Sequence, residues 1–511
     1  MRSAVIDIGS SSIKLVIGER EGDDIRVIET LKNVIPIGRQ SLFKGRISQE
    51  IINQTTGLLE KYKQTIKEYE VADVRVIATT AVREARNRSV FLDTVLRKTG
   101  LRIEVLNVGD VVYYIDAFLT HKLKKKYPIH EKNLLIAELG AGSVDISVME
   151  KGYTLFNVGF PIGTLRLKEF MGKLDGSQEE IHEAVKEYLQ NEISYFKKTN
   201  PGLQIDDVIL IDENYSVFLP NILPSKKRES DFFPFKQEEC EEFLAKMTET
   251  NADGLAKAYK VPLETAETIG GYALIVNAIF QLTPNKYIYI LETSLSEAIL
   301  ANMFLNLELG QDSNRKDHLI SVANYLCRKY HTDQKHARHV AVLSETLFEN
   351  LKEVLGLQDK GLIYLLLAAY LHDIGMFINN RAHHKHTEYI ISSLNLFRLT
   401  DEEIKMIACI GRYHRKGFPD PTHILYNSLP SEQQILVQKL SAILRIANSL
   451  DRSHQQKVKK LEVKLNRRQD VTLIAYSTDN LILEKSYFQD KKELFEEIAG
   501  SRITLAVRLQ N

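Results

Sequence analysis

AVIDIGSSSIKLVIGE, residues 4–19, returns in altered form as LLIAELGAGSVDISVME, residues 134–150. Each copy reads as an apolar strand ending in an acid, a tight Gly/Ser turn and a second apolar strand, which is a hairpin pattern. Two related hairpins so far apart imply a duplicated subdomain. In each turn glycine frees the backbone so that N–H groups can point into one space, and small side chains leave room for an anion. Gly9, Ser10, Ser11 and Ser12 of the first copy, with Gly140, Gly142 and Ser143 of the second, are therefore candidate phosphate-binding residues. The acids that close the strands, Asp7 and Glu138, offer hard oxygen ligands to Mg2+ or to a water bound to it.

Working outward, further strands are expected at 74–78 (VRVIA), 102–106 (RIEVL), 207–211 and 287–291, with helices at 49–69 and from Ala81. That alternation predicts an α/β layer. A polar stretch at 307–317 reads as a linker. Beyond it the period becomes helical to about residue 455, and 11 of the 14 histidines fall there. The last segment, 456–511, returns to strand-like alternation in KLEVKL, VTLIAY, LILEK and ITLAVRL. The expected parts are 1–125, 126–306, 318–455 and 456–511.

The chain has 511 residues, too many for one core. Its formal net charge is zero, which lacks the basic bias of a general nucleic-acid binder. Three cysteines at no metal spacing fit a reducing, cytoplasmic setting. The N-terminus enters a strand without a signal-type apolar region, and no apolar run reaches about 18 residues, so no membrane span is expected.

IDIGSSSIKLVI resembles the first phosphate motif of the actin, sugar kinase and Hsp70 superfamily. Together with VIATTAVREARN (76–87) it resembles the exopolyphosphatase/guanosine pentaphosphate phosphohydrolase (Ppx/GppA) family, over nearly the whole chain. The resemblance implies an actin-like (ASKHA, duplicated ribonuclease-H-like) N-terminal half. It also implies a dimer and Mg2+-dependent hydrolysis of the terminal phosphoanhydride of inorganic polyphosphate or guanosine pentaphosphate. By the same resemblance Arg83 reaches the bound phosphate, a role suited to a planar, always charged guanidinium.

The chain departs from the family pattern where a carboxylate would orient the attacking water. In Val108-Gly109-Asp110-Val111-Val112 two valines stand where glutamates are expected, leaving Asp110 as the nearby acid. In the second segment Glu138 replaces aspartate, Asp145 replaces glutamate, and Ala141 replaces glycine, adding a Cβ that would crowd an approaching phosphate. One methylene less sets the Asp145 carboxylate roughly 1.5 Å further back. A misplaced base can cost on the order of 100-fold in rate. Asp145, with Asp110 second and Glu138 organising water, is the candidate catalytic set. A further family turn reads Ile211-Asp212-Glu213-Asn214, two acids that look hostile to a nucleoside. Polyphosphate is thus slightly favoured over the nucleotide. The rival reading is a phosphate-ligand-binding regulatory protein.

The helical half resembles the HD metal-dependent phosphohydrolase superfamily: His336, then His372-Asp373, then a late aspartate. Asn448 stands at the usual late position and Asp451 lies about one helical turn on. His336, His372, Asp373 and Asp451 are therefore candidate ligands for a second divalent ion, against a bundle in which the histidines only pack. Arg412, Arg415, Lys416 and Arg445 could line a polyanion path or form a solvated face.

Overall fold

A computed structural model describes residues 2–509 except 214, 224–229, 249–250, 308–314, 395, 397–398, 416 and 468. Most of the expected linker, Asn214 and Lys416 lie outside the described residues. The chain divides into two compact units, residues 1–313 and 314–511.

The first unit holds two mixed sheets. Strands β1 (Arg2–Ile8), β2 (Ser12–Glu21), β3 (Asp24–Val34), β4 (Asp73–Ala78) and β5 (Ile103–Val105) form one, in the order β3-β2-β1-β4-β5. The second contains β6 (Asn133–Leu139), β7 (Val144–Glu150), β8 (Tyr153–Phe160), β9 (Asp207–Asp212), β10 (Phe232–Lys236) and β11 (Tyr287–Glu292), in the order β10-β11-β9-β6-β7-β8. Apart from the edge strand β10, the two orders match strand for strand. In both, the opening hairpin is antiparallel and the next strands join it in parallel. The duplication read from the hairpins is thus a duplication of the whole sheet, and the N-terminal region is actin-like.

β1 and β6 share one burial pattern, with four fully buried residues followed by a half-buried acid, Asp7 or Glu138. Strands buried on both faces are apolar along their length, so an acid at the strand end is conspicuous. The segment from Ala81 is a short helix, Thr80–Arg83, followed by a separate helix, Arg88–Thr99. Strands β3, β8 and β10 were not expected. The first two are hairpin extensions whose mixed polar faces hide the alternation.

The second unit is a helical domain followed by a small sheet of β12 (Val458–Leu465), β13 (Val471–Ser477) and β14 (Ile503–Leu509). Its segment LILEK is not a strand; it opens the helix Ile482–Lys491, with Glu484 buried beneath it. The parallel pairing of β13 with β14 requires a crossover, and this helix supplies it. The segment Lys360–Phe377 is long and apolar enough to cross a bilayer, but 67% of it is buried inside the unit as a core helix.

Candidate active site

The two Gly/Ser turns close in the same way. Gly9 N donates to Ser12 O at 3.0 Å, and Gly140 N donates to Ser143 O at 2.9 Å. They face each other across one cleft. Ser143 Oγ lies 3.1 Å from Thr80 Oγ1. A Cβ on Gly142 would stand 2.7 Å from Ser10 Oγ and 3.1 Å from Thr80 Cγ2. The absent side chain at 142 is what lets the halves approach.

Each turn rests on a second, unexpected repeat: Pro36-Ile37-Gly38 and Pro161-Ile162-Gly163. Ile37 N donates to Ile35 O and Ile162 N to Phe160 O, both at 2.8 Å. Gly38 N then donates to Ser10 O at 2.7 Å, while Thr164 N and Leu165 N donate to Gly140 O and Ala141 O. These bonds occupy turn carbonyls, which leaves the cleft to N–H groups and hydroxyls. Ala141, expected to crowd a phosphate, lines the cleft while its carbonyl is held from behind by Leu165 N.

The space inside the cleft that water can occupy is about 120 Å³. Asp7, Glu138 and Asp145 line it together with the two turns, Thr80, Lys14 and Glu213. Burial pushes Asp7 up to about 6, with Lys14 opposing and Glu213 adding to the rise. Burial and the charges of Asp145, Asp7 and Glu213 push Glu138 up to about 8. Asp145 is raised to about 6 by burial, against the pull of Arg83. Oδ1 of Asp7 and Oδ1 of Asp145 are buried without a hydrogen-bond partner. Crowded, raised carboxylates with bare oxygens form a donor set that fits a hard divalent cation.

Arg83 does not pair with Glu84. Its Nη1 donates to Leu106 O at 2.8 Å and its Nη2 to Thr80 Oγ1 at 3.2 Å, which fixes it beneath the Thr80–Ser143 contact. Glu84 instead accepts from Arg166, whose Nε also donates to Gly142 O. Asp110 is engaged elsewhere. It caps the helix Val108–Leu123, accepting from Asn107 N at 3.0 Å, and it is absent from the cleft lining. Val111 does line the cleft. Asp212 turns into the core, accepting from Tyr215 N, Ser216 N and the Tyr272 hydroxyl. Glu213 is held by Lys14 at 2.6 Å, and Lys14 also donates to Ser294. The turn read as two hostile acids is one structural cap and one ion-paired carboxylate.

Lys14 was missed, yet pairing the copies finds it. Asp7 stands opposite Lys14 in the first hairpin as Glu138 stands opposite Asp145 in the second.

In the second unit four imidazoles converge on Asp373. The Nδ1 atoms of His372, His383 and His414 face the backbone carbonyls of Ala369, Asn380 and Gly411 at 2.7, 3.0 and 2.6 Å. A carbonyl only accepts, so each Nδ1 carries the proton and each Nε2 presents a lone pair. His336 Nδ1 meets Asp451 Oδ2 at 2.8 Å, with the same consequence. The bare Nε2 atoms lie close: His372 to His336 at 3.3 Å, His383 to His414 at 3.1 Å. Asp373 sits between them, Oδ2 at 3.4 Å from His372 and Oδ1 at 3.3 Å from His383 and 3.5 Å from His414.

Opposed lone pairs repel unless a cation sits among them. Asp373 favours a proton on His372, raising it against its burial, whereas burial and His372 hold His414 well below its usual value. Cations beside Asp373 would quench that repulsion: His383 and His414 form one ligand set with it and His336 and His454 another, and the backbone partners of His383 and His414 already fix those imidazoles for ligation. Of the expected ligands, His336, His372 and Asp373 meet here. Asp451 does not face the centre; it orients His336 and accepts from Gln456 N at 2.7 Å. His383 and His414 take part instead. The chain folds back between them and brings their Nε2 atoms together.

A model of the Ppx/GppA phosphatase family matches residues 15–307, and one of Ppx/GppA phosphatase domain III matches residues 320–495. A guanosine-5'-triphosphate,3'-diphosphate pyrophosphatase of Pseudoalteromonas translucida is 22% identical over 463 residues, covering 87% of this chain and 86% of its own. Among solved structures, the Aquifex aeolicus Ppx/GppA protein is 23% identical with a TM-score of 0.51, covering 59% of this chain and 97% of its own. An exopolyphosphatase from Cytophaga hutchinsonii is 19% identical with a TM-score of 0.53, covering 61% and 100%. These likenesses reproduce the duplicated fold, and with a family match running through more than half of its length the chain belongs to the Ppx/GppA phosphatase family.

Proposed function

We propose that the N-terminal cleft hydrolyses a terminal phosphoanhydride, releasing inorganic phosphate from polyphosphate or from guanosine 5'-triphosphate 3'-diphosphate. The observation that carries this reading is the meeting of both Gly/Ser turns and the bare carboxylate oxygens of Asp7 and Asp145 in one cleft, with Arg83 outside its lining but bonded to the lining residue Thr80. Turn N–H groups and the Ser10–Ser12 and Ser143 hydroxyls bind the non-bridging oxygens. Arg83 answers charge that develops on the transferred phosphate. Asp145, raised by burial yet close to neutral pH, accepts the proton of the attacking water. Asp7 and Glu138 would hold Mg2+, which supplies charge neutralisation at the phosphate. A bond forms from water oxygen to phosphorus, and the anhydride bond to the shortened chain breaks.

The rest of the substrate has a place to lie. A second cavity shares Ser11, Ser12, Lys32, Leu139 and Ala141 with the cleft, and Arg39, Lys168, Tyr215 and Thr268 continue it. With Asp212 turned inward, a nucleoside is no longer disfavoured there, and the Pseudoalteromonas relative carries a nucleotide in its name. Both substrates end in the same phosphate, so the chemistry is common.

The rival, binding without hydrolysis, is favoured by Val111, which puts methyl groups into the cleft where the family pattern has a carboxylate. Phosphate release with Mg2+ from both substrates, in wild type and Asp145→Asn, decides between them. The proposal expects release that falls at least about 100-fold in the variant. Tight binding by a wild type that releases nothing establishes the rival.

A further inference from the structure

Three successive carbonyls of the second Gly/Ser turn are held by three successive residues of the helix Thr164–Met171. Thr164 N donates to Gly140 O at 3.2 Å and Leu165 N to Ala141 O at 3.0 Å, as the free N–H groups at a helix start can. Gly142 O is taken by a side chain instead, Arg166 Nε donating to it at 2.6 Å. The same guanidinium sends Nη2 to Glu84 Oε2, also at 2.6 Å. Glu84 closes the short helix Thr80–Arg83, and its own N–H donates to Thr80 O at 3.0 Å. One planar fork therefore ties the second turn to the segment of the first half that carries Thr80 and Arg83.

The first copy is built differently at this point. Counting on from Gly38 as from Gly163, Ser41 stands where Arg166 does. Ser41 Oγ donates to Ile37 O inside its own helix, Ile37–Lys44. Of the two matched positions, only Arg166 reaches across to the other half. An ion pair whose carboxylate side chain is 42% exposed adds little to stability, so the value of this one lies in what it places.

We infer that Arg166 is a positioning residue for the hydrolysis, a two-point brace that keeps the second turn and Arg83 at one spacing while phosphate is transferred. The inference rests on the hydrolytic reading of the cleft. A peptide unit is planar, so the bond that holds Gly142 O also sets the direction of Ser143 N–H. Ser143 Oγ lies 3.1 Å from Thr80 Oγ1 and donates to Asp145 Oδ2 at 3.5 Å, and Thr80 Oγ1 accepts from Arg83. A shift of Gly142 therefore disturbs serine, threonine, base and guanidinium together. Misplacement by about 1 Å can cost on the order of 100-fold in rate. The first turn keeps its own support, Gly38 N on Ser10 O at 2.7 Å, so initial phosphate binding survives the loss of Arg166. The brace acts on kcat more than on KM. Lysine is no substitute, because one ammonium nitrogen lacks the rigid fork that meets both oxygens.

The test uses the full chain with Mg2+ and follows phosphate release from inorganic polyphosphate and from guanosine 5'-triphosphate 3'-diphosphate. Arg166→Gln, Arg166→Lys and Glu84→Ala are compared with wild type, and amide hydrogen exchange is read over the two turns. The inference expects kcat to fall roughly tenfold or more in both Arg166 variants and several-fold in Glu84→Ala, with KM changed by less than about threefold. It also expects faster exchange over residues 139–145 in the Arg166 variants and unchanged exchange over 7–12. Glu84 is exposed, so its variant folds even if an Arg166 variant does not. Wild-type kcat in Arg166→Lys or in Glu84→Ala overturns the brace. A raised KM with kcat unchanged makes Arg166 a binding group and overturns the positioning role. A wild type that releases no phosphate sinks the hydrolytic reading, and exchange then decides alone: unchanged exchange in Arg166→Gln overturns the brace, and faster exchange confined to the second turn upholds it.

Discussion

Gly163 shows how much one missing methyl group can decide. A Cβ there would press against the backbone carbonyl of Ala141 and stand 2.5 Å from Ser143 N, and backbone cannot move aside as a side chain can. Gly163→Ala should cost about 1–3 kcal/mol, more if the turn resists, and should lower phosphate affinity before it unfolds the protein. Thermal melting and phosphate release together read this; an unchanged release rate would show that the second turn does not bind substrate. The residues legible in the sequence were those whose type announces their role, namely glycine and serine at a turn, an acid closing an apolar strand, and arginine in a recognised motif. Thr80 and Lys14 carry no such mark. They matter because the chain returns to the same point, and spacing along the sequence does not encode that return.

At the scale of elements, helix Val108–Leu123 packs Asp116 under the hairpin of β7 and β8. Asp116 is wholly buried and accepts from Ser147 Oγ and Thr154 Oγ1, both at 2.8 Å. Burial raises it to about 7, so the folded state prefers the protonated form. A raised acid stabilises fully below its unfolded value near 4, and the advantage fades as pH rises through about 7. Asp116→Asn should therefore melt higher than wild type at pH 8 by a few degrees and flatten the dependence between pH 4 and 7. Equal melting temperatures at pH 8 would show that Asp116 is not desolvated. The same element corrects the reading of Asp110, which the sequence offered as a base and the capping box with Asn107 claims. An acid three residues into a helix caps it by default. LILEK was misread for a similar reason, since a short alternating run does not reveal whether its partner is a strand or a helical core.

Across the molecule, the three raised carboxylates of the cleft impose on the metal-free first unit a charge repulsion that a divalent cation would relieve. Mg2+ well above its dissociation constant should raise the melting temperature by several degrees, since about 100-fold saturation adds roughly 2.7 kcal/mol. Asp7→Asn should abolish most of that rise without the loss expected of a core mutation; an undiminished rise would place the ion elsewhere. The sequence alone determined the duplicated hairpin, the actin-like first half, the change to helices and the order His336, His372-Asp373, because each is a local pattern of apolar period, turn residue or adjacent ligand. Only the tertiary structure decided which acids face the cleft, that Asp451 stands behind His336, and that His383 and His414 meet at Asp373. Those facts depend on which distant segments pack together, and packing is set by the shape and burial of the whole unit.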